Sequence, residues 1–245
     1  MTLTRRDAIR LSGGALAGLS SGLLTPGQLR PEVGRSEGEA VERSRQDGLA
    51  EMELRDRVEL PLAPDGSAPE HPESAAGPIE GVLWRYTGGE PPEIEFDYRR
   101  MSVQVDPRGM AALGGTMTFD DLEPLPRNSG VYLLQCGVPT PTGIVKWTGV
   151  RFSDFAEMIG VQPHTLEKGY CRFVGSDRYY VDEAVSTLMH PQVMLAWLMN
   201  DEPIPPEHGA PLRLIIPFRY GARNLKAITE IHFGTPGLPQ EPLPA

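Results

Sequence analysis

The chain has 245 residues, 40% of them hydrophobic, with a formal net charge of −10 and a sequence pI near 5.0. So acidic a chain lacks the clustered basic surface by which nucleic acid is bound, and its length suits a single folded domain. Its two cysteines allow no cysteine cluster for iron–sulfur, and no C-x-x-C-H haem attachment occurs.

At the N-terminus, MTLTRRDAIRLSGGALAGLSSGLL sets Arg5 and Arg6 ahead of a weakly apolar stretch rich in Gly, Ala and Ser. This order reads as a twin-arginine export signal over residues 1–30, and it predicts a periplasmic or otherwise exported protein. A spanning helix would want about 20 predominantly apolar residues and is the poorer reading. Residues 31–78 are rich in Pro, Gly, Ser, Glu and Arg, and Trp84 is the first aromatic residue of the chain. Such a stretch buries too little apolar surface to offset its ordering entropy, so it reads as a disordered acidic, proline-rich linker. Within it, EGEAVERSRQDGLAEMELRDRVEL could form a charged helix with a thin apolar stripe. The folded domain is expected over 79–235, followed by a proline-rich tail over 236–245.

Inside the domain, strand signals dominate. YRRMSVQVD and YCRFVG alternate, VYLLQC is a continuous apolar run, and LRLIIPF and AITEIHF close the chain. FSDFAEMIG reads as a short helix capped by Ser153 and ended by Gly160. DEAVSTLMH and PQVMLAWLMN read as a second helical pair split at Pro191, with Met189 to Met199 as its packing residues. The pattern is α+β, with mixed β-sheets and short helices. No strand leads into a glycine-rich phosphate loop, so neither a Rossmann nor a P-loop fold has support. Trp147 and Trp197 sit in apolar contexts and are expected in the core, and His164, His190 and His232 share no metal-ligand spacing.

Two features carry chemistry. The first is Cys136, delivered by VYLLQC to GVPTPTGIVKWTG, where Gly137, Pro139, Pro141 and Gly143 disfavour a regular element and let a ligand approach the backbone. A thiol there can ligate a metal; the cysteine count alone favours a disulfide with Cys171 in an oxidising compartment, and only the downstream motif turns the reading to the metal. The second is NDEPIPPEHGAPLRLIIPFRYGARNLKAITEIHF. Arg213 lies among Leu212, Leu214, Ile215 and Ile216, where a guanidinium needs an anion beside it. A phosphate would accept from it bidentately, with His208, Arg223 and Lys226 as further donors and amides near Asn224 and Leu225 completing a cradle. An ordinary carboxylate partner for Arg213 is the alternative.

These motifs resemble the molybdopterin-dependent oxidoreductases of the sulfite oxidase family over about residues 85–232, most strongly from Val193 onward. The resemblance implies a sulfite-oxidase-like molybdopterin-binding domain and a molybdenum–molybdopterin cofactor. By position, Cys136 falls on the molybdenum ligand, His208 and Arg213 on the pterin-binding pair, and Asn224, Leu225 and Lys226 on the phosphate-contacting run. Asp177 falls near a further cofactor contact. Arg85, Tyr86 and Thr87 stand where the family has an Arg-Asn-His loop, and only Arg85 agrees with it. Sulfite oxidases proper follow the cysteine with asparagine and arginine, whereas CGVPTPTG has no charge, which implies weaker anion binding; export, compactness and PIPPEHGAPLRLIIPFRYG bring the chain nearer the periplasmic methionine-sulfoxide-reductase catalytic subunits. The implied activity is oxygen-atom or two-electron transfer on a small or protein-bound sulfoxide-type substrate. The implied electron source is an external carrier, a membrane haem protein or cytochrome, and a monomer is expected. Two alternatives stand beside it: a sulfite dehydrogenase using Arg85 or Arg219 for the anion, and a cofactor-free periplasmic binding or structural protein with a Cys136–Cys171 disulfide.

Overall fold

The computed structural model describes residues 58–81 and 91–235. The export signal, most of the charged-helix stretch, Arg85, Tyr86, Thr87 and the tail 236–245 lie outside the described residues.

Among the described residues, ten strands form two five-stranded sheets. The first has the order β2-β1-β10-β5-β6, built from β1 (Ser102–Asp106), β2 (Gly115–Thr118), β5 (Tyr170–Gly175), β6 (Tyr180–Ala184) and β10 (Ile228–Gly234). It is mixed: β1 and β10 run parallel, and its other pairs are antiparallel. The second sheet joins β3 (Arg127–Gln135), β4 (Thr142–Arg151), β7 (Met194–Met199) and β8 (Glu202–Pro203), with β9 (Arg213–Ile215) also on β7. Four short helices connect them: α1 (Phe119–Leu122), α2 (Phe152–Ile159), α3 (Pro163–Lys168) and α4 (Val185–Leu188). The α+β expectation of mixed sheets with short helices is the architecture that forms.

One main core gathers side chains from both sheets, among them Val103, Val150, Phe173, Leu195, Trp197 and Phe233, with Phe152 and Phe155 of α2. A second cluster lies on the opposite face of the second sheet, where Tyr132, Leu134, Val145, Trp147, Met194, Ala196 and Ile215 pack with Ala68, Ile79, Ile204 and Ala210. Strand β7 therefore has two dry faces, Leu195 and Trp197 toward one core and Met194 and Ala196 toward the other.

That double burial corrects the helical reading of PQVMLAWLMN. A strand buried on both faces has no polar positions to reveal a period of two, so its apolar run mimics a helix in sequence. DEAVSTLMH divides too: Asp182, Glu183 and Ala184 belong to β6, and only Val185–Leu188 is helical. Ser153 is not the cap of α2, because β4 runs straight into the helix at Phe152 and Arg151 occupies the N-cap without a side-chain bond. Gly160 does end that helix, at φ 68°.

The ordered body also begins earlier than Ile79. Residues 58–78, composed like a linker, lie along the second sheet: the His71 amide donates to Val131 O (2.9 Å) and the Gly77 amide to Ile144 O (2.9 Å). The Gln192 side chain holds both polar groups of Ala68, accepting from its N–H (3.0 Å) and donating to its carbonyl (2.7 Å). Borrowed partners of this kind let a segment without strand propensity stay put.

Candidate functional site

The thiol comes first. Cys136 follows the last residue of β3 directly, and its amide donates to Pro141 O (3.0 Å) across the tip of the β3–β4 hairpin. It is half-buried and free; Cys171 is free and buried on β5, so the disulfide reading falls. Burial pushes the Cys171 thiol well up, which leaves it inert as a nucleophile or ligand. Gly221 approaches the cysteine from the opposite side: a Cβ built on it would stand 3.6 Å from Gln135 O and 3.9 Å from Cys136 Cα.

The cations come next. Strand β9 sets Arg213 opposite Ala196, and the side chain is only 2% exposed. Its guanidinium lies 4.9 Å from the Trp147 ring centroid, and Nη1 donates to His208 O (2.7 Å). Nε is buried without a hydrogen-bond partner, and no acidic side chain among the described residues pairs with the group. Desolvation accordingly pulls its pKa down to about 9. Lys226 donates from Nζ to Glu207 O (2.6 Å), and burial, then Arg213, lower its pKa to about 7. Burial, then Arg213 and Lys226, lower that of His208 to about 4. A charge on the Cys136 sulfur would raise the pKa of Lys226 slightly, so the sulfur lies within electrostatic reach of that ammonium.

Close chain crossing fixes this cluster. Gly209 has φ 106°, and a Cβ there would meet Lys226 Cβ at 2.8 Å and Cα at 2.9 Å. The Ala227 amide then donates to Gly209 O (3.0 Å). Only glycine fits, because both the left-handed backbone and the space forbid a side chain. Asp177 lies at the β5–β6 turn, accepts from the Tyr179 amide (3.0 Å) and raises Lys226 slightly against the larger downward effects. Beside it, the Ser176 amide donates to Ala227 O (2.9 Å), while its hydroxyl is buried without a partner.

Not every expected residue faces a ligand with its side chain. Asn224 accepts from the Ile216 amide (2.6 Å) and donates to the carbonyls of Tyr220 (3.0 Å), Arg219 (3.3 Å) and Ile216 (3.4 Å), so it shapes the 216–224 turn. Leu225 is buried in the main core, and its carbonyl accepts from the Leu214 amide (2.9 Å). Arg223 departs from the expected phosphate donors: its Nε and Nη2 both donate to one carboxylate oxygen, Glu183 Oε1 (2.9 and 2.7 Å), and Nη2 reaches Asp182 O, so it has found a carboxylate on β6. Arg219 stands 3.9 Å from the same carboxylate and is 48% exposed. His190 packs against Phe218, and His232 against Glu230 and Asp106, so both are engaged structurally.

Sequence reasoning missed Gln135, Ser176, Val58 and Tyr220. The Val58 amide donates to Gly137 O (3.2 Å), and its carbonyl accepts from Tyr220 Oη (2.8 Å), so the leading segment straps the cysteine loop to the 216–224 turn. Only the glutamine beside the cysteine carried a local hint.

The donor set fits a phosphate-bearing pterin and its metal. It offers an orphaned guanidinium N–H and an orphaned hydroxyl, two further basic groups, and one half-buried free thiol. Among the described residues no group of three or more His, Cys, Asp or Glu side chains could hold a metal ion. A metal here would therefore take most of its ligands from the organic cofactor, with Cys136 as the protein's own.

Comparison with known proteins agrees. The chain is 32% identical over 140 residues to the mitochondrial sulfite oxidase of Drosophila melanogaster, covering 47% of this chain and 24% of that one. It is 29% identical over 165 residues to a putative protein-methionine-sulfoxide reductase subunit YedZ1 of Azospira oryzae, covering 67% and 60%. It is 30% identical over 141 residues to the protein-methionine-sulfoxide reductase catalytic subunit MsrP of Xanthomonas campestris, covering 49% and 41%. Less than two thirds of each relative is spanned. In structure it is similar to the sulfane dehydrogenase SoxCD of Paracoccus pantotrophus, with TM-score 0.50 at 21% identity, covering 76% of this chain and 52% of that one. Residues 89–237 match the oxidoreductase molybdopterin binding domain, a span that holds Cys136, His208, Arg213 and Lys226. This chain belongs to that family of molybdopterin-binding oxidoreductases.

Proposed function

We propose that the protein is an exported, monomeric molybdenum–molybdopterin oxidoreductase that reduces a neutral sulfoxide-type substrate, small or protein-bound. The observation that carries the reading is Arg213, a fully buried guanidinium with an unsatisfied Nε and no carboxylate partner among the described residues. A buried cation in that condition is costly alone and becomes favourable beside a desolvated phosphate. In this reading Arg213, Lys226 and His208 hold the phosphate, the Ser176 hydroxyl and Asp177 meet polar edges of the pterin, and the Cys136 thiolate ligates the metal. When bound, the cofactor supplies oxygen-atom transfer coupled to two electrons. The chain orients it, backs the Arg213 guanidinium with the buried Trp147 ring, and offers a reaction face formed by the uncharged loop from Cys136 to Gly143. With two cysteines and no C-x-x-C-H motif, the electrons come from an external carrier such as a cytochrome or membrane haem protein. Export rests on Arg5 and Arg6.

Substrate charge follows from what the loop lacks. Desolvating a dianion without a paired guanidinium is expensive, so sulfoxides are reduced with a better kcat/KM than sulfite is oxidised. Arg219 favours the second reading, a sulfite dehydrogenase, because it is half-exposed and two residues from the glycine that abuts Cys136. Assay of both substrates with artificial electron carriers at matched ionic strength separates them. A sulfite preference that disappears in Arg219→Gln overturns the sulfoxide assignment. Elemental analysis after expression in a host that makes molybdopterin tests the foundation: about one molybdenum per chain is expected.

A further inference from the structure

The β3–β4 hairpin tip presents an accounting problem. Pro139 and Pro141 have no N–H, and the Cys136 amide serves Pro141 O, so the carbonyls from Cys136 to Pro139 have few donors within the loop itself. Yet every carbonyl from Cys136 to Pro139 has a donor. The Gln135 side chain reaches three: its two Nε2 hydrogens donate to Cys136 O (3.0 Å) and Val138 O (2.8 Å), and Pro139 O, at 3.4 Å, shares one of them. Val58 supplies the fourth, to Gly137 O. On its other side, Gln135 Oε1 accepts from Thr142 Oγ1 (2.7 Å), at the first residue of β4. The amide is 5% exposed, and its orientation is dictated, because a flip would turn its oxygen toward three carbonyl oxygens.

We propose that Gln135 is the positioning residue for Cys136: one buried amide, gathering the carbonyls on the far side of the cysteine, fixes where the thiolate points. This deepens the ligand reading of Cys136 and rests on it. A metal ligand on a loop is only as well placed as the groups that hold the loop, and such outer partners typically change metal affinity or activity roughly 10–100-fold when altered. Glutamine is required on this account. Glutamate keeps the acceptor for Thr142 but sets a carboxylate against three carbonyls, and methionine keeps the volume but donates nothing.

Two measurements test it. In cofactor-free protein, the rate of Cys136 modification by a soluble disulfide reagent reports loop order, with Cys136→Ser as the blank and buried Cys171 silent. Gln135→Met and Gln135→Glu are expected to raise that rate about tenfold or more. In loaded protein, both variants are expected to alter the Mo(V) paramagnetic resonance spectrum and to lower kcat roughly 10–100-fold with KM little changed. A wild-type thiol rate and Mo(V) spectrum in Gln135→Met, with only Tm lowered, overturn the proposal and make Gln135 a structural amide. If Gln135→Met fails to fold, Gln135→Glu decides in the same way. Failure of the ligand reading looks different: Cys136→Ser would keep its molybdenum and its turnover, whatever Gln135 does to the thiol.

Discussion

The two ends of the site solve opposite problems. The cationic end, His208, Arg213 and Lys226, is buried, its Arg213 has no carboxylate partner among the described residues, and each of the three has its pKa pulled down mainly by desolvation. The cysteine end has no charged residue in its loop, and its carbonyls are satisfied from outside. The difference teaches that the chain holds electrostatic strain where a ligand should dock and rigidity where chemistry should occur. Anchor and reaction face should therefore respond to substitution with different signatures.

The largest expected effect is at the sulfur. Cys136→Ser should lose turnover to background while Tm stays near wild type, because a metal thiolate is a ligand and the cysteine cross-links nothing. Full turnover in that variant would remove the distinction between the ends. Arg213→Met should next show two effects of opposite sign. Cofactor affinity should fall by on the order of 2–5 kcal/mol, read as lost molybdenum and pterin. Cofactor-free protein should instead gain about 1–3 kcal/mol in denaturant titration, since replacing an uncompensated buried charge with a packed apolar chain relieves desolvation. A loss of stability in the apo form would mean the guanidinium is structurally paired.

The pH dependence sharpens the same contrast. Folding lowers the pKa of His208 from 6.5 to about 4 and of Lys226 from 10.5 to about 7, so the folded apo chain binds fewer protons than the unfolded chain in both windows. Its stability should therefore rise with pH between about 4 and 6.5, and again between about 7 and 10.5, by on the order of 2–3 kcal/mol each after discounting for solvent screening. Loaded protein should show flatter curves in thermal melts, because a bound anion favours the charged forms. The smallest effect is expected from Tyr220→Phe, which removes the hydroxyl bond to Val58: about 1 kcal/mol of stability, with molybdenum content unchanged.

How much of this was legible in sequence depends on what each residue's neighbours reveal locally. Arg213 was readable because a lone charge inside LRLIIPF contradicts its surroundings, and the structure brings it together with His208 and Lys226. Strand β3 was readable as an apolar run ending at the cysteine. Strand β7 was not, because burial on both faces erases its period. Arg223, in the polar stretch GARNLK, carries no local sign of its partner, and only the fold gives it a carboxylate while denying one to Arg213. Residues 58–78 have the composition of a tether, but their backbone is held by partners far away in sequence, such as Gln192, that no local pattern announces.

At Gly209 the missing methyl group sets the spacing of two charges. Because Lys226 lies directly over that glycine, and the Ala227 amide bonds its carbonyl, the turn bearing His208 and the chain bearing Lys226 are clasped by the polypeptide itself. Any side chain at 209 would pry the imidazole and the ammonium apart, so a position with no functional group of its own governs the width of the anion's berth.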